Sequence, residues 1–122
     1  MSKILIVEDD PFLNRAYNTI LLREGYDVDS ADNGETGLQK ATENEPDLIL
    51  LDMLMPQMDG LDFLRGYQQK DNHPNVKIIV FSNMSVPESV EEAMHLGAVK
   101  YMTKASFSPK EMVALIKEVL AS

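Results

Sequence analysis

Short runs of apolar residues alternate along this chain with longer stretches in which apolar residues recur every three or four positions. The short runs predict strands buried on both faces, and the longer stretches predict amphipathic helices. The run at 26–30 differs because polar and apolar residues alternate in it, which is typical of a half-exposed edge strand. The predicted strands span residues 3–7, 26–30, 48–51, 76–81 and 99–103, and a predicted helix follows each of them.

Local capping sequences mark the ends of these helices. Asp10-Pro11 combines an N-cap acid with proline at the first helical position, and the first helix is predicted to end at Gly25. Residues 85–88 and 108–111 match the capping-box pattern, in which a serine precedes a glutamate by three positions. These boxes predict the starts of the fourth and fifth helices, and the third helix is predicted over about 61–69.

Five strands alternating with five helices predict a parallel sheet that is covered by helices on both faces. Since crossovers between parallel strands are right-handed, few topologies are possible. Of the two common doubly wound orders, 2-1-3-4-5 is favoured because it places the second strand at an edge. We therefore predict an α/β, flavodoxin-like fold in which residues 1–122 form a single domain.

Polar residues stand directly at the ends of four predicted strands. In the 2-1-3-4-5 order these strands are neighbours, and their C-terminal ends share one rim of the sheet. In chain order the ends carry Glu8 with Asp9, then Asp52, Ser82 and Lys104. Asp52 is the centre of this group because it follows a fully apolar strand. A simple helix-capping role for Asp52 is less favoured, because Asp59 is better placed to cap the next helix.

The types of residue at this rim indicate a specific chemistry. Two carboxylates about 4 Å apart repel by about 4 kcal/mol near a protein surface, so a cation is expected among Glu8, Asp9 and Asp52. Oxygen ligands indicate a hard divalent ion such as Mg²⁺. Lys104 adds an ammonium group and Ser82 adds a hydroxyl donor. Together with a carboxylate nucleophile, these groups suit phosphoryl transfer onto an aspartate.

The composition excludes several other classes of function. A net charge of −9 argues against direct binding to nucleic acid or to an anionic membrane. The apolar runs are far shorter than the roughly 20 residues that span a bilayer, and the acids at 8–10 interrupt any signal-peptide pattern. The absence of cysteine removes disulfide and thiolate chemistry, and it agrees with a cytoplasmic location.

Four short motifs give the chain a family resemblance over its whole length. They are ILIVEDD at 4–10, LLDMLMPQMDG at 50–60, FS at 81–82 and YMTK at 101–104. With these motifs the chain resembles the receiver domains of response regulators in two-component signalling, including those of the chemotaxis kind. The resemblance implies that Asp52 accepts a phosphoryl group from a sensor histidine kinase or a phosphotransfer protein. It implies that the domain is a switch and not an enzyme, because at most it catalyses its own phosphorylation and dephosphorylation.

The resemblance also implies a metal site. Asp9 and Asp52, with the backbone carbonyl of Leu54, would bind Mg²⁺ directly, and Glu8 would hold the ion through water. In the phosphorylated state Ser82 and Lys104 would contact the phosphoryl group. Tyr101 would be the aromatic switch that changes partner binding on the surface formed by the fourth helix, the fifth strand and the fifth helix. The downstream target stays unidentified.

Some positions depart from the usual pattern of the family. Receiver domains mostly have a proline after the lysine, joined by a cis bond, and here that residue is Ala105. A cis bond to a non-proline residue costs about 3 kcal/mol, so the sequence leaves open whether this bond is cis or trans, and with it the shape of the loop and the reach of Lys104. Asn83 stands where the family mostly has a small residue, and it is predicted to narrow the access to Asp52. Leu54 and Met84 flank the approach of water to phosphorus, and as apolar side chains they predict a long-lived phosphorylated state.

Three alternative functions remain open at this point. A Mg²⁺-dependent phosphohydrolase of the haloacid dehalogenase kind also forms an aspartyl phosphate, but it needs a second aspartate where this chain has Leu54. A flavodoxin-like electron carrier needs a phosphate loop rich in small and hydroxyl residues after Val7, where this chain has acids. A degenerate receiver that only binds partners is disfavoured by the intact acid set, and Ala105 is the residue that keeps this alternative open.

Overall fold

A computed structural model describes residues 2–83 and 86–122, without the side chain of Ser106. Five strands form one sheet in the order β2-β1-β3-β4-β5, and every neighbouring pair is parallel. The predicted fold class and strand order are therefore confirmed. The strands are β1 Lys3–Val7, β2 Asp27–Ala31, β3 Leu48–Asp52, β4 Lys77–Ser82 and β5 Lys100–Thr103.

Helices connect the strands and cover both faces of the sheet. The five predicted helices are α1, α2, α3, α5 and α6, and α4 is an additional single turn. The predicted third helix is too long by two residues, because Gln68 adopts a left-handed conformation with φ of 52° and ends α3 at Tyr67. The helices are α1 Pro11–Arg23, α2 Gly34–Asn44, α3 Gly60–Tyr67, α4 Gln69–Asn72, α5 Pro87–His95 and α6 Pro109–Ala121.

Side-chain caps begin most of these helices as the sequence predicts. The Asp10 carboxylate accepts hydrogen bonds from two backbone N–H groups of α1, and Ser108 forms a reciprocal capping box at α6. Asp59, not Asp52, caps α3 through a second reciprocal box. The capping box predicted at 85–88 falls partly outside the described residues, because Ser85 is not among them. Val86 occupies the N-cap position of α5, without a side-chain cap bond.

The apolar core lies in two layers that are separated by the sheet. One layer packs alternate strand residues against Phe63, Leu64 and Tyr67 of α3. The other packs the remaining strand residues against Leu21 of α1 and Ile116 of α6. All five residues of β3 are buried, as its uninterrupted apolar run predicts, whereas β2 is exposed at alternate positions. This packing fixes the strand ends against one another, and with them the rim that carries the polar residues.

The lengths of the helices bear on membrane insertion. Within the described part of the chain, no helix is long and apolar enough to cross a bilayer.

Candidate functional site

The polar residues at the strand ends come together as the strand order predicts. Glu8 and Asp9 follow β1, Asp52 ends β3, Ser82 ends β4 and Lys104 follows β5. Each of the three acids offers a carboxylate oxygen, and these oxygens lie within 4.8 Å of one another. The side chains of Glu8 and Asp52 are only 3% and 5% exposed, so water screens little of their mutual repulsion.

Lys104 is the internal counter-ion of this acidic group. Its Nζ donates a hydrogen bond to Oε1 of Glu8 at 2.6 Å and lies 3.5 Å from Oδ1 of Asp52. The other oxygen of Glu8, Oε2, accepts the backbone N–H of Asp10 at 3.1 Å. Both oxygens of the Glu8 carboxylate are therefore fixed in direction, one by a side chain and one by the backbone.

The loop after β5 brings Lys104 to the site without a cis bond. None of the described peptide bonds is cis, so the bond between Lys104 and Ala105 is trans, as the cost of the cis form favours. The chain forms a short 3-10 turn over Lys104–Ser106, and only 10% of the Lys104 side chain is exposed. The replacement of the usual proline by Ala105 thus leaves the lysine within reach of both carboxylates.

Burial and like charge change the protonation of the central aspartate. Burial is the largest cause that raises the pKa of Asp52, and the hydrogen bond and negative charge of Glu8 raise this pKa further. The pKa of Asp52 reaches about 7. The charge of Lys104 and the backbone N–H of Leu54, 3.3 Å from Oδ1, act in the opposite direction. Burial lowers the pKa of Lys104, but the hydrogen bond with Glu8 and the nearby carboxylates outweigh burial and raise it. A single ammonium therefore leaves part of the negative charge uncompensated.

The acidic group fits a hard divalent cation. Octahedral Mg²⁺ binds oxygen at about 2.1 Å, so ligands on opposite sides of the ion lie about 4.2 Å apart. The three carboxylate oxygens lie within 4.8 Å of one another, which is close to this distance. Leu54, whose carbonyl is the fourth predicted ligand, lies in the loop after Asp52, and the residue is 49% exposed.

Ser82 and Tyr101 line the same small cavity, together with Met53 and Leu54, the two residues that follow Asp52. This cavity measures about 80 Å³. Ser82 is buried at the end of β4, while Tyr101 is half-buried in β5 and packs against the core layer on the α3 side. The structure therefore places the predicted hydroxyl donor and the predicted aromatic switch on the walls of one space.

Of the three residues predicted to control access to Asp52, the structure describes Asn83 and Leu54 but not Met84. Asn83 is exposed and lines a groove between α1 and α6 together with Lys104, and its narrowing of the access to Asp52 remains a prediction. Met84 lies outside the described residues. The predicted long lifetime of the phosphorylated state remains a prediction.

Sequence analysis missed one buried polar residue near the site, Asn14 of α1. Its side-chain amide donates hydrogen bonds to the backbone carbonyl of Glu8 at 3.0 Å and to that of Ala31 at 3.1 Å. A signal was present in the helical spacing, because Asn14 shares one face of α1 with Tyr17 and Leu21. A polar residue in an apolar stripe calls for a buried hydrogen-bond partner.

Relatives of this chain include a chemotaxis protein and a transcriptional regulatory protein. The chemotaxis protein CheY of Thermotoga maritima is 35% identical over 118 residues, which cover 96% of this chain and 96% of that protein. The alkaline phosphatase synthesis transcriptional regulatory protein PhoP of Bacillus subtilis is 36% identical over 123 residues. That match covers 97% of this chain but 48% of PhoP, so the chain spans about half the length of that relative.

The fold and a family model give the same assignment. A CheY-like response regulator receiver domain protein from Methanospirillum hungatei superposes with a TM-score of 0.92 at 30% identity, covering 99% of this chain and 94% of that one. The family model of the response regulator receiver domain matches residues 4–117. Because this match takes in nearly the whole chain and all the motif residues at the rim, the chain belongs to the response regulator receiver domain family.

Proposed function

We propose that this chain is a phosphorylation-dependent switch that accepts a phosphoryl group on Asp52 in a Mg²⁺-dependent reaction. The observation that supports this proposal is the arrangement of charged groups around Asp52. Its buried carboxylate lies 3.5 Å from the ammonium of Lys104 and shares a cluster of oxygens within 4.8 Å with Glu8 and Asp9. A sensor histidine kinase or a phosphotransfer protein is the proposed donor, since receiver domains of response regulators are phosphorylated by histidine kinases.

The residues of the site have distinct roles in the proposed transfer. An oxygen of Asp52 forms a bond to phosphorus while the bond from phosphorus to the donor histidine nitrogen breaks, and the electron pair of that bond leaves with the imidazole. Lys104 and Ser82 stabilise the oxygens of the transferred group by charge and by a hydroxyl hydrogen bond. Bound Mg²⁺ supplies positive charge to the phosphoryl oxygens, and Glu8, Asp9, Asp52 and the Leu54 carbonyl would hold it.

The alternative functions are less well supported by the same residues. A phosphohydrolase of the haloacid dehalogenase kind needs an acid two positions after the nucleophile, and Leu54 has no proton to exchange. An electron carrier needs a phosphate loop where Glu8 and Asp9 stand. A degenerate receiver acting only as a binding module is disfavoured because Ala105 leaves Lys104 in contact with the acids. The proposed switch is therefore not an enzyme in the sense of turning over an external substrate.

The proposed partners follow from charge and from the relatives. The donor protein and an unidentified target protein are expected to bind this chain, whereas direct contact with nucleic acid is disfavoured by the net charge of −9. We propose a cytoplasmic location, where a histidine kinase would donate the phosphoryl group, and we propose no insertion into a membrane.

Labelling with a small phosphodonor tests the proposed acceptor. Acetyl phosphate with Mg²⁺ is expected to add one phosphoryl group to the wild-type protein, measured as intact mass. Asp52→Asn removes the attacking carboxylate and should take up none. Asp59→Asn is the matched control, because Asp59 is also an aspartate of this loop but caps α3. Phosphate on Asp52→Asn would place the acceptor elsewhere.

Phosphorylation is expected to act at a distance, on the surface formed by α5, β5 and α6. A phosphoryl oxygen draws in the hydroxyl of Ser82, and Tyr101 moves into the cavity of about 80 Å³ that both residues line. Backbone amide shifts measured by NMR before and after phosphorylation should therefore extend through residues 91–110. Tyr101→Ala should keep the shifts around Asp52 and lose those in α5. Shifts confined to the loops around Asp9, Asp52 and Ser82 in the wild type would contradict the switch.

A further inference from the structure

Asn14 connects the first turns of α1 to the loop that carries the acids. It is 9% exposed, and its Nδ2 donates to two backbone carbonyls at the C-terminal ends of different strands. One is the carbonyl of Glu8, just after β1, and the other is that of Ala31, the last residue of β2. The Ala31 carbonyl also accepts the backbone N–H of Glu8 at 3.1 Å. The main chain of Glu8 is thus held on both sides.

A second asparagine fixes the direction of this amide. Asn18, one turn later in α1, donates from Nδ2 to Oδ1 of Asn14 at 2.9 Å and to the backbone carbonyl of Asn14 at 3.0 Å. With the oxygen of Asn14 held in this way, its NH₂ group must face the two carbonyls. Asn14 is therefore a preorganised donor, and Asn18 is its brace.

The hydrogen bond to Glu8 has a consequence for Asp9. The carbonyl of Glu8 and the N–H of Asp9 belong to the same planar peptide unit, so fixing one oxygen fixes the plane from which Asp9 departs. The side chain of Glu8 is held independently, by Lys104 and by the N–H of Asp10. Loss of Asn14 should consequently disturb the direction of the Asp9 carboxylate more than that of Glu8.

We propose that Asn14 is a positioning residue for the divalent cation, acting by setting the peptide plane between Glu8 and Asp9. The inference deepens the proposed function and rests on its cation site. Groups that orient metal ligands without touching the ion commonly change metal affinity 10- to 100-fold when they are removed. Asn14 occupies such a place, behind a ligand and buried from water.

Calorimetric titration of Mg²⁺ into the phosphodonor-free protein tests this role. Asn14→Leu keeps a branched side chain of similar size but has no donor, and it should raise the Kd for Mg²⁺ about ten-fold. Asn18→Ala leaves the donor but removes its brace, and a rise of a few-fold in Kd is expected. Leu21→Val is the matched control, because it disturbs apolar core contacts two turns further along the same helix. It should lower Tm and leave the Kd unchanged.

The outcomes separate this inference from the proposed function. If the wild type binds Mg²⁺ and Asn14→Leu binds it with the same Kd, the positioning role is wrong while the cation site stands. If the wild type does not bind Mg²⁺, the cation site and the positioning role fall together. Should Asn14→Leu fail to fold, Asn18→Ala decides the question, because an unchanged Kd for that variant overturns the proposal.

Discussion

Replacing Asp52 with asparagine is expected to stabilise the metal-free protein by about 2 to 4 kcal/mol at neutral pH. The folded state raises the pKa of Asp52 from 3.8 to about 7, because the carboxylate is buried next to Glu8. Each pKa unit corresponds to about 1.4 kcal/mol of free energy, so ionisation at pH 7.5 opposes folding by a few kcal/mol. Asparagine has nearly the same shape as aspartate but no charge, so the free energy by which ionisation of Asp52 opposes folding disappears.

The effect of this substitution should depend on pH in one direction. When folding raises the pKa of an acid, the acid stabilises the folded state at pH values below the pKa that it has in the unfolded chain. This stabilisation is lost as the pH rises through the pKa that the acid has in the folded protein. For Asp52 the window runs from about pH 4 to about pH 7. The variant and the wild type should therefore have similar stability at pH 4, and the difference in favour of the variant should grow up to pH 7.5.

Urea unfolding with EDTA across this pH range measures the difference. Asp71→Asn is the matched control, since Asp71 is exposed on α4, and its change should stay within about 0.5 kcal/mol at every pH. Saturating Mg²⁺ should narrow the gap, because an ion that binds only the folded wild type stabilises it. A variant that is no more stable than the wild type at pH 7.5 would show that Lys104 alone compensates the acids.

The strands and their common rim could be predicted from local sequence alone. The apolar run 48–51 fixes β3 as a central strand, and the alternation in 26–30 fixes β2 as an edge. In a parallel sheet the C-terminal ends of neighbouring strands then meet without further information. This is why the convergence of Asp9, Asp52 and Lys104 followed from the order of strands, with no knowledge of side-chain contacts.

Other features depend on contacts that no short pattern encodes. The end of α3 is set by Gln68 in a left-handed conformation, where the sequence offers no glycine to announce the break. The role of Asn14 depends on a carbonyl 17 positions away in the chain, at Ala31. The reach of Lys104 depends on the 3-10 turn through Ala105, whose shape the loss of proline left open. Each of these features is a long-range or backbone property.

Gly60 shows how closely the helix after Asp52 packs against the strand end. As the first residue of α3, Gly60 donates its N–H to the carbonyl of Met53 at 3.0 Å. A Cβ at this position would lie 2.8 Å from the Cα of Met53 and 3.0 Å from the carbonyl oxygen of Asp52, and it would also meet the sulfur of Met53. The sulfur can rotate away, but the two backbone atoms belong to the turn that holds Asp52.

Gly60→Ala is therefore expected to destabilise the protein by about 1 to 3 kcal/mol, the range for overpacking that must be relieved by backbone shifts. The same shift displaces Asp52, so the rate of phosphorylation by acetyl phosphate at saturating Mg²⁺ should fall at least about ten-fold. Gly66→Ala, within the same helix, is the matched control. Its Cβ meets chiefly the mobile end of the Leu38 side chain, so helix propensity offsets the contact and both stability and labelling rate should change little. If the two variants unfold at the same urea concentration and label at the same rate, the turn after Asp52 yields to a methyl group, and close packing by α3 does not hold Asp52 in place.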